Sequence, residues 1–104
     1  MNIHYYNRDK LCTIIHWEKF QVSIQNFTDD IFERAFGRKE YVTWQDLEYF
    51  LASRCFPKSR ANAKELLKEL GLDYYDPFEI VKITKGRMAE DDQWLEFVED
   101  KKND

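Results

Sequence analysis

The first 27 residues show the apolar–polar alternation of β-strands. Residues 20–25 read Phe-Gln-Val-Ser-Ile-Gln, so an apolar side chain recurs at every second position. This period places the apolar side chains on one face of a strand. Residues 11–17 and 2–6 are rich in the β-branched and aromatic types that strands favour. Two polar turns separate the three segments, the second at Glu18-Lys19, so we predict an antiparallel β-meander over residues 1–27.

Residues 28–86 carry start and stop signals for short helices. Each predicted start has a polar side chain that can accept a hydrogen bond from the first helical N–H groups. These N-caps are Thr28 or Asp29, then Thr43, Ser59 and Asp76. Each predicted end is a glycine or a proline, and these two residue types commonly stop helices. The ends are Gly37, Pro57, Gly71 and Gly86.

The last part of the chain returns to alternation. Residues 93–98 read Gln-Trp-Leu-Glu-Phe-Val, and residues 99–104 form a charged end that we expect to fray. A lone strand leaves its backbone groups unpaired, so we expect this strand to join the N-terminal meander. The prediction is a single α+β domain over residues 1–104, in which the meander and the C-terminal strand pack on three to four short helices.

Charge is distributed unevenly along the chain, whose net charge is -4. Residues 54–70 hold five bases and two acids, and residues 88–104 hold seven acids and two lysines. The basic stripe, as we call it, is Arg54, Lys58, Arg60, Lys64 and Lys68. The acidic stretch that we consider for partner binding is Glu90, Asp91, Asp92, Glu96, Glu99 and Asp100. A solvated surface explains each of them, and contact with a charged partner is the alternative. For the acidic stretch, this alternative is a surface that imitates nucleic-acid phosphate and occupies the basic channel of a partner.

Soft metal ligands are few and poorly spaced. Within a strand, Cys12 and His16 share a face but stand about 13 Å apart, which is too far for one ion. His4 can face Cys12 across a hairpin in one register only. Together with Cys55 these are the soft ligands of the chain, and none has the spacing of a zinc motif. We therefore expect no cofactor, with zinc as the alternative.

Catalytic patterns are also weak. The sequence around Cys55 lacks a nucleophile signature, and the three glycines lie at element ends rather than in a phosphate-binding loop. The clusters of acidic residues lie at predicted starts of helices or strands, where acids stabilise the helix dipole or are solvated, so they do not indicate a catalytic pair of carboxylates. We expect a protein that is not an enzyme and that works by binding another protein. Among the many aromatic residues, Tyr74 and Tyr75 are the ones that we assign to the interface.

Part of the chain resembles a group of known proteins. The pieces Arg-x-x-Pro-x-x-Arg from Arg54 and Tyr-Asp-Pro-x-Glu-Ile-Val from Tyr75 lie in a run that ends at Trp94. This run resembles small proteins encoded on mobile elements of Gram-positive bacteria, some of them beside kinases of the HipA toxin type. The chain is also similar in size and charge to type II anti-CRISPR proteins, which inhibit Cas9.

These resemblances imply two functions. The first is an inhibitor that binds Cas9, or another nucleic-acid-handling protein, and blocks the loading of nucleic acid. The second is an accessory or antitoxin-like module of a HipA-type kinase system. The net negative charge argues against nucleic acid as a direct ligand. No apolar run approaches the roughly 18 residues that span a bilayer, and no secretory signal is recognised, so we expect a cytoplasmic protein.

Overall fold

The computed structural model describes residues 1–99, which form four strands and three helices in an α+β arrangement. The elements are β1 (Asn2–Asn7), β2 (Lys10–Glu18), β3 (Gln21–Asn26), α1 (Trp44–Ser53), α2 (Ala63–Glu69), α3 (Pro77–Thr84) and β4 (Gln93–Val98). The predicted meander and C-terminal strand are confirmed. None of the helices within residues 1–99 has the length and apolar character needed to cross a bilayer.

The strands form one antiparallel sheet in the order β3-β2-β1-β4. β4 pairs with β1 along its whole length, from Asn2 opposite Val98 to Asn7 opposite Gln93. The terminal strands therefore lie side by side in the sheet. The β2–β3 turn is one residue later than predicted, because Glu18 pairs with Gln21. Phe20 belongs to this turn rather than to β3, and its side chain is 74% exposed.

The two faces of the sheet differ. The inner face is packed against the helices and carries fully buried side chains, among them Ile3, Ile15 and Leu95. The helices contribute the opposite half of the core with Leu47, Leu51, Ile80 and Val81. Residues that alternate with the buried ones point to the other side, which we call the outer face. Helices α1 and α3 contact β3 and β4, and α2 adds Leu67 to the core that these helices share with the inner face.

Helices α1 and α3 begin where their capping residues predict. The Thr43 side chain accepts a hydrogen bond from Asp46 N, and the Asp46 side chain accepts one from Thr43 N, which completes a capping box. The Asp76 side chain accepts a hydrogen bond from Phe78 N, and Pro77 is the first residue of α3. Both caps satisfy N–H groups that have no partner within the helix.

Two predicted helix starts are wrong. No helix forms over residues 28–37, because side chains and β2 take the N–H groups that a helix would use. Asp30 Oδ1 accepts from Phe32 N at 2.9 Å, and Thr13 Oγ1 accepts from Ala35 N at 3.2 Å. Ser59 is not the N-cap of α2, since consecutive turns occupy the chain between Pro57 and Ala63.

The β2–β3 turn offers a test of backbone strain. Lys19 has a φ of 57°, a left-handed conformation that costs a residue with a Cβ about 1–2 kcal/mol. We expect Lys19→Gly to raise the free energy of unfolding by roughly 0.5–1 kcal/mol, after the entropy cost of glycine is subtracted. Urea denaturation measures the change. The control is Glu18→Gly in the extended end of β2, where glycine should destabilise, and a loss of stability in Lys19→Gly would contradict the assignment.

Candidate functional site

Arg54, at the end of α1, is buried and organises the segment that leads to β4. Its side chain is 7% exposed. Its Nε donates to the Gly86 carbonyl at 2.9 Å, and Nη2 donates to the Gln93 carbonyl at 2.8 Å. Nη1 and Nη2 donate to the two oxygens of Asp91 at 2.7 and 2.9 Å. The pair is bidentate, the geometry that suits a planar guanidinium.

This pairing corrects the assignment of Arg54, which is buried, and gives Asp91, which stays at the surface, an internal partner. Arg54 was placed in the basic stripe and Asp91 in the acidic stretch, both as surface residues. The fold brings them together over 37 positions of chain, and each neutralises the other. The hydrogen bonds from Arg54 hold the pKa of Asp91 below its usual range, which outweighs the opposite effect of burial. Both residues therefore hold the fold together, and neither presents a free charge to a partner.

The rest of the basic stripe is exposed but does not form one helical row. Lys64 and Lys68 lie on α2, whereas Lys58 and Arg60 precede that helix. Arg60 lines a cleft of about 390 Å³ between the end of α1 and the segment before β4. Arg87 and Glu90 line the same cleft, so its wall carries charges of both signs.

The acidic stretch is divided among different surroundings. Asp92 accepts a hydrogen bond from Arg8 Nε at 3.1 Å, in an exposed ion pair on the β1–β2 turn. Glu96 and Glu99 are exposed on and just after β4. Asp100 lies outside the described residues. Because bases from other parts of the chain meet Asp91 and Asp92, the stretch does not form one continuous negative surface.

The two predicted interface tyrosines have different positions. Tyr75 donates from its hydroxyl group to the Phe56 carbonyl at 2.7 Å and packs edge-on against the Phe56 ring. Tyr74 is 67% exposed. Tyr75 therefore stabilises the junction between α1 and α3, a role that sequence alone does not separate from binding.

The four soft metal ligands do not converge. Cys12 and Cys55 belong to the buried core, whereas His4 and His16 are half-buried on the outer face. A β-bulge in β2, where Tyr5 pairs with Thr13 and Tyr6 pairs with Leu11, turns Cys12 inward. The expectation that Cys12 and His16 share a face is therefore wrong. Within residues 1–99 no group of three potential ligands is close enough to hold an ion.

Burial also affects the chemistry of the thiols. Desolvation raises the pKa of the Cys55 thiol to about 11 and raises that of Cys12 as well. The reactive form of cysteine is the thiolate, and a raised pKa makes it scarce at neutral pH. The environment of both side chains is that of core residues.

The outer face carries an aromatic corner, formed by Tyr6 on β1 and Trp94 on β4. The two residues are cross-strand neighbours, and their rings stack with centroids 4.3 Å apart. Two cations lie over the Trp94 ring, with Arg87 Cζ at 4.9 Å and Lys85 Nζ at 5.9 Å from its centroid. Trp94 Nε1 donates to the Arg8 carbonyl at 2.5 Å. A cleft of about 480 Å³, lined by Arg8, Arg87 and Trp94 among others, opens at this corner.

Comparison with known proteins identifies no relative. No family model, no curated protein and no solved structure matches the chain.

The aromatic corner is the feature that our sequence assignment of site residues missed. Its signal is present in the alternation of β1 and β4. Ile3 and Tyr5 are buried, so Tyr6 points outward, and Leu95 is buried, so Trp94 points outward. The pairing of Tyr6 with Trp94 becomes visible only when the register of β4 against β1 is known.

Acid should destabilise the protein through its bonded carboxylates. Hydrogen bonds from Arg54 lower the pKa of Asp91, and those from Thr43 and Lys39 lower that of Asp46. A lowered pKa means that the folded state binds fewer protons, so this stability is present above the ordinary pKa near 4 and is lost as pH falls below it. We expect urea denaturation to show a steep loss below about pH 4. Asp91→Asn should be less stable at neutral pH and should lose less on acidification, and an unchanged pH profile would contradict the role of Asp91.

Proposed function

We propose that this protein is a binding module without catalytic activity, and that its partner is another protein. The observation that carries the proposal is the aromatic corner on a sheet face that the helices leave uncovered. Tryptophan, tyrosine and arginine are the residue types that most often dominate the energy of protein interfaces. Here Trp94, Tyr6 and Arg87 lie in contact beside a cleft. The raised thiol pKa values and the separated histidines support a role in binding rather than catalysis.

The charges around the corner favour a protein over a nucleic acid. Lys85 and Arg87 lie at one end of the outer face of β4, and Glu96 and Glu99 lie towards the other end. A rim of mixed charge around an apolar centre is typical of protein interfaces. Protein surfaces that bind nucleic acid are predominantly basic by comparison, because they contact the phosphates. Base stacking also needs free ring faces, whereas Tyr6 and Trp94 stack on each other.

The first partner that we propose is Cas9 or a comparable guided nuclease, with a function for this protein as its inhibitor encoded on a mobile element. The size of the chain and its net charge of -4 support this proposal. Because Asp91 and Asp92 are paired internally, inhibition would come from covering a lobe of the nuclease rather than from imitating phosphate. The corner, Glu96 and Glu99 would form the contact.

Purified components test this function. The protein should co-elute with the Cas9 of its host and slow cleavage of target DNA when added before the guide or the target. Reversal of charge in Glu96→Lys/Glu99→Lys should weaken both effects, whereas Glu65→Lys/Glu69→Lys, a matched change on exposed positions of α2, should not. Full cleavage and separate elution in the presence of the wild-type protein would rule out the inhibitor, and preferential binding of a single-stranded oligonucleotide would contradict the choice of a protein partner.

A second candidate function, an accessory module of a HipA-type kinase, is favoured by one observation. The sequence pieces that carry the resemblance lie around one cleft. Arg54, Pro57 and Arg60 come from the first piece, Ile80 comes from the second, and residues 87–90 come from the end of the run. A shared surface of this kind would serve contact with a kinase.

Co-expression tests the kinase alternative. The protein should relieve growth arrest by the kinase, and Arg60→Glu/Arg87→Glu in the cleft should abolish relief. Lys64→Glu/Lys68→Glu changes the same charge on α2, away from the cleft, and should retain it. Growth arrest that persists with the wild-type protein present would exclude this function.

A further inference from the structure

The two edge strands of the sheet, β4 and β3, differ in whether other parts of the chain bond to their outward backbone groups. At the β4 edge, Leu95 N donates to the Lys85 carbonyl at 2.7 Å. The Gln93 carbonyl accepts from Arg54, and Gln93 N donates to Asp91 Oδ1 at 3.0 Å. The start of this edge is therefore closed by the end of α3 and by the Arg54–Asp91 pair. β3 forms the other edge.

The backbone of β3 presents a regular set of groups to solvent. Phe27 N donates to the Cys12 carbonyl at 2.8 Å, so Phe27 and Cys12 are a hydrogen-bonded pair. In an antiparallel ladder, hydrogen-bonded and non-hydrogen-bonded pairs of residues alternate. The residues of β3 that bond to β2 are then Gln21, Ser23 and Gln25. The N–H and C=O groups of Val22, Ile24 and Asn26 point away from the sheet. Within residues 1–99 these six backbone groups have no hydrogen-bond partner in the structure.

The edge also lacks the usual protection against pairing. Exposed edge strands in proteins are commonly blocked by lysine, by proline, by a bulge or by a covering segment. Residues 21–26 contain no charge, no proline and no glycine, and their register with β2 has no bulge. Exposed aromatic side chains flank both ends, since Phe20 is 74% and Phe27 is 46% exposed. A strand with these properties is a template for another strand.

We propose that β3 pairs with β3 of a second copy of this chain, so that two sheets join into one antiparallel sheet of eight strands. A two-fold axis midway between the two Ile24 residues pairs Ile24 with Ile24 of the second copy, and pairs Val22 with Asn26 of the second copy. These are three pairs of residues whose free backbone groups face each other, which gives six hydrogen bonds. The pairing keeps the inner faces on one side of the joined sheet.

The second copy fits this edge better than an unrelated strand because the edge is complementary to itself. In the register centred on Ile24, Ser23 lies opposite Gln25 of the second copy on the outer face. Both side chains donate and accept hydrogen bonds, and no two like charges meet across the junction. Closed two-fold pairing also leaves no further free edge of the β3 kind, so assembly stops at the dimer.

Dimerisation would place the two outer faces side by side on the same side of the joined sheet. Each copy retains its own aromatic corner on the opposite edge, so the dimer would present two binding surfaces. A partner with two sites, or a dimeric partner, would then bind with an avidity greater than that of one corner. The dimer does not depend on which partner binds the corner.

Paired charge variants test the proposal. Sedimentation equilibrium of the wild-type chain should show a dimer that dissociates on dilution. Ser23→Lys/Gln25→Lys and Ser23→Glu/Gln25→Glu each place two like-charge pairs across the junction, so each should weaken self-association by at least roughly tenfold. Mixing the two variants places opposite charges across the junction and should restore a dimer.

Controls separate this edge from other surfaces and from the proposed function. Gln45→Lys/Ala52→Lys adds the same charge on the exposed side of α1 and should leave the dimer intact, as should Trp94→Ala. In the wild-type dimer, the amides of Val22, Ile24 and Asn26 should exchange hydrogen slowly, and in the lysine variant they should exchange fast. A wild-type monomer at millimolar concentration, or a dimer that persists in both charge variants, would overturn the proposal.

Discussion

Replacement of Arg54 with alanine is expected to lower the free energy of unfolding by roughly 2–4 kcal/mol, because it removes the buried member of an ion pair whose carboxylate is 33% exposed. The variant leaves the Asp91 carboxylate without its cation and leaves the carbonyls of Gly86 and Gln93 without their donor. Unpaired polar groups cost more than the net gain of the bonds that they make. Urea denaturation followed by tryptophan fluorescence gives the change directly.

Three comparisons make this result specific. Arg54→Lys keeps the charge but cannot make the four contacts of the guanidinium, so it should also be strongly destabilising. Arg38→Ala, at an exposed arginine, should change stability by less than about 0.5 kcal/mol. Combined with Asp91→Asn in a double-mutant cycle, Arg54→Ala should show strong coupling, because each single change breaks the same pair. A loss below about 1 kcal/mol in Arg54→Ala would contradict the role assigned to the pair.

Gly86→Ala is expected to cost roughly 2–5 kcal/mol through two additive effects. Gly86 has a φ of 61°, which disfavours any residue with a Cβ. An added Cβ would also lie 2.3 Å from Leu95 Cδ1 and 3.3 Å from Arg54 Cβ. Leu95 is fully buried, so it has little room to move away. Thermal denaturation and urea denaturation should both show the loss.

Gly71 provides the matched control for this prediction. Its φ of 75° imposes a similar backbone cost, but an added Cβ there would meet no atom within 4 Å. Gly71→Ala should therefore cost only about 1 kcal/mol, the part that belongs to the backbone. The difference between the two variants measures the steric effect of Leu95 and Arg54. Equal losses would show that the region around Gly86 can relax.

Arg54→Ala and Gly86→Ala both act on the segment that supports the aromatic corner. Gly86 accepts a hydrogen bond from Arg54, and Arg87 follows directly to lie over the Trp94 ring. Asp91 is held by Arg54 two residues before β4 begins. The Arg54–Asp91 pair thus fixes the position of the residues that we assign to binding.

The elements that sequence predicts well are those with a local signal. The meander follows from alternation, and α1 and α3 follow from the caps at Thr43 and Asp76. The joining of β4 to the meander follows from the need of a strand for a neighbour, although no local signal selects β1 as that neighbour. The predicted helix over residues 28–37 does not form, because a residue distant in sequence competes for its backbone. Thr13 on β2 accepts the hydrogen bond of the Ala35 N–H group.

The candidate site was harder to predict because it depends on contacts between distant residues. Counting charges along the chain placed Arg54 and Asp91 in opposite surface groups, although they are bonded to each other. The same approach favoured Tyr74 and Tyr75 over Tyr6 and Trp94, since neighbouring aromatics are visible in sequence and cross-strand pairs are not. Strand register decides which aromatic side chains meet, and a shift of one residue would reverse every assignment to a face.

In the proposed function, the inner face of the sheet holds the fold and the outer face binds a protein. Titration calorimetry with the co-eluting partner tests this division most directly when the double variant Tyr6→Ala/Trp94→Ala is compared with the double variant Tyr41→Ala/Tyr49→Ala. The first variant should bind at least about 30-fold more weakly while its circular dichroism spectrum stays native, because the loss of even one interface anchor costs about 2 kcal/mol or more. The second removes two exposed aromatics elsewhere and should bind as the wild type does. Equal affinity of the two variants for the partner would contradict the claim.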